Sequence, residues 1–158
     1  MAKYLIVDYK KCTGCRLCEI TCAWKNEGVP NPEMSRIKTY SYFPGIDITM
    51  FCVKCSDAPC VASCAFTALN KNEDGCIEVD KEKCNGCGNC LEACRAQVIS
   101  LHPQKGYPLI CNHCGGNGPE CVKSCPTHAL EYMPLPFDGK YLAKKKEQIC
   151  SEIKKSLE

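Results

Sequence analysis

Apolar and β-branched residues occur in short bursts along this chain, separated by polar and cysteine-rich stretches. Tyr4-Leu5-Ile6-Val7 reads as a strand leading through Asp8-Tyr9-Lys10-Lys11 to Cys12. The same lead-in returns as Ile77-Glu78-Val79-Asp80-Lys81-Glu82-Lys83-Cys84, so the chain contains an internal repeat. Gln97-Val98-Ile99-Ser100-Leu101 and Gly75-Cys76-Ile77-Glu78-Val79 are further strand-type runs. The segment from Glu27 to Gly45 carries Pro30, Pro32 and Pro44 and is expected to be a surface connection with an extended piece at Arg36 to Phe43. Between Tyr141 and Leu157, the residues Leu142, Ile149, Ile153 and Leu157 fall on one side of a helix, with Cys150 beside them, which predicts a docked C-terminal helix. Short helices alternating with short strands place the fold in the α+β class.

What fills the gaps between these bursts is cysteine. Of the 18 cysteines in 158 residues, 16 fall into four groups. The groups are Cys12, Cys15, Cys18 and Cys22; Cys52, Cys55, Cys60 and Cys64; Cys84, Cys87, Cys90 and Cys94; and Cys111, Cys114, Cys121 and Cys125. The first and third have the strict spacing CxxCxxCxxxC. The second and fourth are widened, and Cys60-Val-Ala-Ser-Cys64 aligns with Cys121-Val-Lys-Ser-Cys125, so the order is A-B-A-B. One or two helical turns and then a strand are expected after the last cysteine of each group. The spacer Gly115-Gly116-Asn117-Gly118-Pro119-Glu120 must be a loop.

Small domains need staples, either disulfides or metal centres. The N-terminus shows no charged segment followed by an apolar run of signal length, so the chain is expected in the reducing cytoplasm, where repeated CxxC reads as metal ligation. No apolar stretch has the length of a membrane span, and direct membrane insertion is not expected. A net charge of +2, with 20 basic and 18 acidic residues, gives no footprint for nucleic acid.

Three cysteines at two-residue intervals wrap one side of a [4Fe-4S] cube, and in two-cluster ferredoxins the fourth cysteine of each run serves the other cluster. Sixteen ligands then imply four [4Fe-4S] clusters. Spacing alone leaves their pairing open. Zinc sites also use CxxC pairs but have no use for third and fourth cysteines at these intervals, and a disulfide scaffold conflicts with the compartment. Gly14 and Gly86 stand between the first two ligands, where the backbone must bend tightly.

The runs CTGCRLCEITC, CVKCSDAPCVASC, CNGCGNCLEAC and CNHCGGNGPECVKSCPTHAL together resemble the four-cluster ferredoxin-type electron-transfer subunit of molybdenum- and tungsten-pterin oxidoreductases, the dimethyl sulfoxide reductase and formate dehydrogenase group. Small cytoplasmic versions accompany tungsten aldehyde oxidoreductases. The resemblance implies two ferredoxin-like domains, each holding two clusters. An outer domain would comprise residues 1–47 and 104–158, and an inserted inner domain residues 48–103. It further implies one cluster on Cys12, Cys15, Cys18 and Cys125; a second on Cys52, Cys55, Cys60 and Cys94; a third on Cys84, Cys87, Cys90 and Cys64; and a fourth on Cys111, Cys114, Cys121 and Cys22. Relatives with a membrane subunit carry a C-terminal extension that this chain lacks, which favours a soluble complex.

The expected role is therefore an electron-transfer subunit of an oxidoreductase in anaerobic metabolism, with no catalytic residue of its own. Its expected partner is a large catalytic subunit of the tungsten- or molybdenum-pterin type, such as an aldehyde oxidoreductase or a formate dehydrogenase-like chain. A flavin or ferredoxin protein is the expected further redox partner. The alternative is a free-standing polyferredoxin serving several enzymes, against which the near-neutral charge counts. Arg16, Lys54, Arg95 and Lys123 are either tuners of cluster potential or solvated surface cations. His113 and His128 are expected to be hydrogen-bonding or surface residues rather than ligands, Trp24 a packing lid, and Cys76 and Cys150 buried free thiols.

Overall fold

The computed structural model describes residues 3–42, 45–116 and 118–134. The C-terminal helix expected from Tyr141 to Leu157, and Cys150 with it, lie outside the described residues.

The strands are β1 (Lys3–Val7), β2 (Lys38–Tyr42), β3 (Ile46–Met50), β4 (Leu69–Lys71), β5 (Ile77–Val79), β6 (Ser100–Leu101), β7 (Pro108–Leu109) and β8 (Leu130–Pro134). The helices are α1 (Leu17–Glu27), α2 (Pro59–Ala62), α3 (Asn89–Ala93) and α4 (Glu120–Lys123). Among the described residues the strands pair into four two-stranded antiparallel sheets, β1–β8, β2–β3, β4–β5 and β6–β7. Each cysteine group is preceded by one strand and followed by another, and the strand leaving one group pairs with the strand entering the next. The β1–β8 pair closes the cycle, with Val7 opposite Leu130 and Lys3 opposite Pro134. The α+β class is as expected, and β1 and β5 lie where the apolar runs place them.

Two apolar cores result. One gathers Leu5 and Val7 of β1, Leu130 of β8, Ile37 and Phe51 around Cys18, Cys22, Cys111 and Cys121. The other gathers Ala58, Leu69, Ile77 and Ile110 around Cys60 and Cys90. Cys52 packs against both. Helix α1 lies on α4, and α2 on α3. Sulfur is a large part of each core, as expected of a chain too small to fill its interior with hydrocarbon alone.

Two expectations are corrected. The stretch from Glu27 to Gly45 is more than a surface connection: a 3-10 turn at Pro32–Met34 leads to Ser35 and Ile37, both fully buried, and then to the β2–β3 hairpin. The helical turns also do not follow the fourth cysteine of each group. They carry the third, since Cys18, Cys60, Cys90 and Cys121 lie within α1, α2, α3 and α4. Only α1 continues past its fourth cysteine, to Glu27, where Gly28 (φ +74°) ends it with its amide on the Trp24 carbonyl at 3.0 Å.

Candidate metal centres

All four cysteine groups share one backbone device. The residue between the first two cysteines adopts left-handed φ in each: Gly14 (+63°), Lys54 (+54°), Gly86 (+74°) and His113 (+52°). Glycine takes such a φ at no steric cost, whereas Lys54 and His113 carry strain of about 1–2 kcal/mol that their contacts must offset. A Cβ on Gly14 would collide with the Asp47 carboxylate, itself held by the Ser41 hydroxyl at 2.6 Å, and one on Gly86 would lie 3.0 Å from the Gly106 carbonyl oxygen.

Three of the four fourth cysteines accept backbone hydrogen bonds. The Ala68 amide donates to Cys64 Sγ at 3.3 Å, and its repeat equivalent, the Ala129 amide, donates to Cys125 Sγ at the same distance. Thr67, Gln97 and His128, each three residues beyond a fourth cysteine, are left-handed as well. The first group departs from this pattern because α1 continues. There Cys22 Sγ accepts from the Arg36 amide at 3.4 Å and from Asn26 Nδ2 at 3.5 Å.

Every described cysteine is free rather than in a disulfide. Cys64, Cys84, Cys87 and Cys90 line one open recess, walled by Phe66, Leu101 and Pro108. Elsewhere the cysteines group by electrostatic influence. Burial pushes the Cys52 thiol up to about 11, with Cys60, Cys55 and Cys94 adding negative potential. Burial likewise raises Cys60, next to Cys94 and Cys55. Cys111 and Cys121 are raised well above the ordinary thiol range, foremost by burial; each also feels Cys22 and Cys114, and in addition Cys111 feels Cys52 and Cys121 feels Cys18. Cys90 is pushed up to about 11 by burial, with Cys84, Cys87 and Cys60 nearby. Cys125 moves the other way: burial opposes it, but hydrogen bonds from the Leu130, Thr127 and Ala129 region hold it below the usual value.

Around Cys12 and Cys18 the donors come from the β2–β3 hairpin. Thr49 Oγ1 lies 3.5 Å from Cys12 Sγ, Thr39 Oγ1 lies 3.7 Å from Cys18 Sγ, and the two hydroxyls are 3.2 Å apart. Glu19, almost fully buried, accepts the Thr39 amide at 2.5 Å and so fastens the hairpin to α1. Burial pushes the Cys18 thiol up to about 11, against the Thr39 hydrogen bond. Nothing in the cysteine spacing announces Thr39, Thr49 or Glu19. The alternation in Lys38-Thr39-Tyr40-Ser41-Tyr42 is the one signal for the strand that delivers Thr39.

These surroundings fit iron–sulfur clusters. The donors are sulfur throughout, and amides and hydroxyls lie within reach of several of them. Burial that penalises bare thiolates is compensated once iron supplies positive charge.

The other singled-out residues divide. Lys54 is buried: Nζ donates to the Lys3 carbonyl at 2.9 Å and the Asp74 carbonyl at 3.1 Å and lies 5.3 Å from the Tyr4 ring centroid. Arg95 and Lys123 are exposed and paired with Asp57 and Glu120, and Arg16 is exposed. His113 is fully buried, its Nε2 donating to the Cys52 carbonyl at 3.1 Å; burial pushes it down to about 4 and keeps it neutral. His128 is exposed. Trp24 is not a lid but lies 62% exposed on α1, and Cys76 is a buried thiol.

Comparison with known proteins places this geometry. Residues 42–135 match the 4Fe-4S dicluster domain family. The polyferredoxin-like subunit of an aliphatic sulfonate oxidoreductase from Pyrococcus furiosus is 45% identical over 123 residues, covering 77% of this chain and 70% of that one. The electron transfer subunit of a thiosulfate reductase from Salmonella typhi is 35% identical over 146 residues, covering 81% and 73%. The B subunit of anaerobic dimethyl sulfoxide reductase from Escherichia coli is 32% identical over 149 residues, covering 82% and 72%. Among solved structures, the active-site complex of benzoyl coenzyme A reductase contains a chain of the same fold, with a TM-score of 0.53 at 23% identity, covering 94% of this chain and 89% of that one.

Proposed function

We propose, from the premise that the chain belongs to the 4Fe-4S dicluster family of iron–sulfur electron-transfer subunits, that it serves the catalytic subunit of a pterin-type molybdenum or tungsten oxidoreductase. When bound, the clusters supply one-electron storage and release. The chain's own residues hold them, set their surroundings and decide where they meet solvent; none acts as acid, base or nucleophile.

The proposed ligand sets are those implied by the resemblance: Cys12, Cys15, Cys18 with Cys125; Cys111, Cys114, Cys121 with Cys22; Cys52, Cys55, Cys60 with Cys94; and Cys84, Cys87, Cys90 with Cys64. The shared recess supports the last of these, and the mutual electrostatic influence of Cys111, Cys121 and Cys22, and of Cys52, Cys60 and Cys94, supports two more. Electrostatic influence between sets favours one linear order. Cys121 feels Cys18, Cys111 feels Cys52, and Cys90 feels Cys60. The observation that carries the reading concerns the two ends of that order. Cys15 and Cys87 are the exposed cysteines among the ligands, and they belong to the first and last sets, whereas the inner sets offer only buried or half-buried sulfur. Such a chain has two redox-accessible ends and a shielded middle.

The two-domain partition is part of the same proposal. It is supported by the β1–β8 pair and the α1–α4 packing on one side and by β4–β5 and α2–α3 on the other. The β2–β3 hairpin spans the expected boundary at 47/48, and Phe51 packs in the first core; Ile110 packs in the second. We therefore draw the boundaries after Phe51 and after Ile110. Among the described residues no helix is long and apolar enough to cross a membrane. A cytoplasmic location, and a tungsten aldehyde oxidoreductase, flavin protein or ferredoxin as the particular partner, complete the proposal.

Anaerobic purification from the native source tests the subunit role. A large pterin-containing chain in fixed ratio is expected, and isolation of this chain alone would favour a diffusing polyferredoxin. Metal analysis should give about 16 iron and 16 sulfide per chain, as four cubes require. Cys22→Ser should perturb the cluster on Cys111, Cys114 and Cys121 and spare the one on Cys12; the reverse would refute the pairing.

A further inference from the structure

Away from the cysteine loops, five polar side chains form an island, with Glu27 and His102 inside it and Lys81 at its exposed rim. Glu27, the last residue of α1, is at its centre. Its Oε1 accepts Arg36 Nη2 at 3.3 Å, its Oε2 accepts the Tyr107 hydroxyl at 2.7 Å, and His102 Nε2 lies 3.8 Å from Oε2. Lys81 Nζ donates to the Tyr107 hydroxyl at 3.0 Å and sits 4.2 Å from its ring centroid. His102 Nδ1 accepts the Gln104 and Lys105 amides, each at 3.2 Å, which leaves the proton on Nε2, facing the carboxylate. The Glu27 and His102 side chains are 4% and 2% exposed and that of Arg36 15%, so the ion pair is largely shielded from solvent.

The island lies where two ligand-bearing peptides meet. Glu27 follows Cys22 by five residues on the same helix, and Tyr107 precedes Cys111 by four. Arg36, whose side chain pairs with Glu27, gives its own backbone amide to Cys22 Sγ at 3.4 Å. One carboxylate thus ties together segments that lead to Cys22 and Cys111, and pairs with the cation whose own backbone amide bonds Cys22 Sγ.

We propose that Glu27 is a positioning and charge-balancing residue for the cluster of Cys22, Cys111, Cys114 and Cys121, fastening its two peptides and cancelling the Arg36 charge so that this cluster stays hard to reduce. The inference rests on the ligand pairing proposed above. Without Glu27, the shielded guanidinium would stand uncompensated and favour the more negative, reduced state. Without Arg36, the carboxylate would disfavour it. Opposite signs from two partners of one ion pair are what a charge effect gives and what general loosening does not.

The test uses the full chain with its clusters assembled anaerobically and a redox titration followed by electron paramagnetic resonance. Cys22→Ser and Cys111→Ser first identify the signal. Both should alter the same one; if they alter different signals, the pairing fails and the inference falls with it, whatever Glu27 does. On the identified signal, Glu27→Gln should raise the reduced-to-oxidised ratio at fixed ambient potential on the order of tenfold, about 59 mV for a one-electron couple. Arg36→Gln should move it the other way, and the double variant should return towards the wild-type midpoint. Tyr107→Phe, which leaves the charge unchanged, should shift it much less than Glu27→Gln. Should Glu27→Gln fail to take up the cluster, Arg36→Gln and the double variant carry the test by the sign of their shifts. Shifts of the same sign for both single variants, no shift of this signal, or an equal shift with Tyr107→Phe would overturn the proposal.

Discussion

Lys54→Met gives the sharpest test of how the second cysteine loop is held. The wild-type ammonium reaches out of the Cys52–Cys55 turn to two carbonyls, Lys3 of β1 at 2.9 Å and Asp74 of the β4–β5 turn at 3.1 Å, and so joins elements of both cores. Hydrogen bonds from a charged donor each contribute about 1.5–3 kcal/mol net. The Tyr4 ring, 5.3 Å away, adds about 0.5–1 kcal/mol. Desolvation of the ammonium takes back part of this, leaving a loss of about 3 kcal/mol for Met, which keeps the apolar stem but leaves both carbonyls unbonded. At about 2–4 °C per kcal/mol for a chain of this size, the midpoint should fall by about 6–12 °C. The assay is thermal unfolding of the cluster-loaded protein under anaerobic conditions, followed by far-ultraviolet circular dichroism and by the visible absorbance of the clusters. A fall of less than about 2 °C would refute the assignment of Lys54 as a structural tie.

Three further outcomes are expected. Replacing Thr39 and Thr49 together by Val removes the hydroxyls 3.7 and 3.5 Å from Cys18 and Cys12, and should lower the reduction potential of the cluster on those cysteines while leaving the other three midpoints in place, as read by cluster-resolved redox titration. Gly14→Ala combines a left-handed φ of +63° with a Cβ directed into the Asp47 carboxylate, and should cut iron incorporation by roughly one cluster in four; Gly88→Ala, whose Cβ meets nothing within 4 Å, should be milder in the same iron assay. Burial alone would raise the Glu27 carboxyl, but the Tyr107 hydroxyl, Lys81 and Arg36 outweigh it and hold it below its usual 4.5. A carboxyl lowered in the folded state stabilises the fold fully above the unfolded value and loses that contribution as pH falls through the folded one, so Glu27→Gln should flatten the acid limb of the stability curve below about pH 4.5, measured by denaturant unfolding at several pH values.

Much of the candidate site was legible because its signals are local. Ligand spacing of two or three residues fixes which sulfurs one loop can present, and the Leu5–Cys12 and Ile77–Cys84 lead-ins mark the strands that enter two of the loops. Placement of the helices was less accessible. Helical turns were expected after the fourth cysteines and instead carry the third, because the left-handed residues Arg16, Ala58 and Gly88 immediately precede α1, α2 and α3 and start them there. Backbone sign at such a position is not written in residue type when the residue is Arg or Ala.

By itself, the sequence determined the α+β class, the four cysteine groups and the cofactor they are built for, since all of these follow from patterns within a dozen residues. Only the tertiary structure decided what surrounds each sulfur. It turned Lys54 from a surface cation candidate into a buried tie, and it brought Thr39, Thr49 and Arg36 to cysteines that lie 14 to 37 residues away in the chain. It also left Trp24 in solvent and built the Glu27 island from four separate stretches. Polar contacts across such separations depend on how strands pair and helices pack, and residue spacing along one segment carries no record of them.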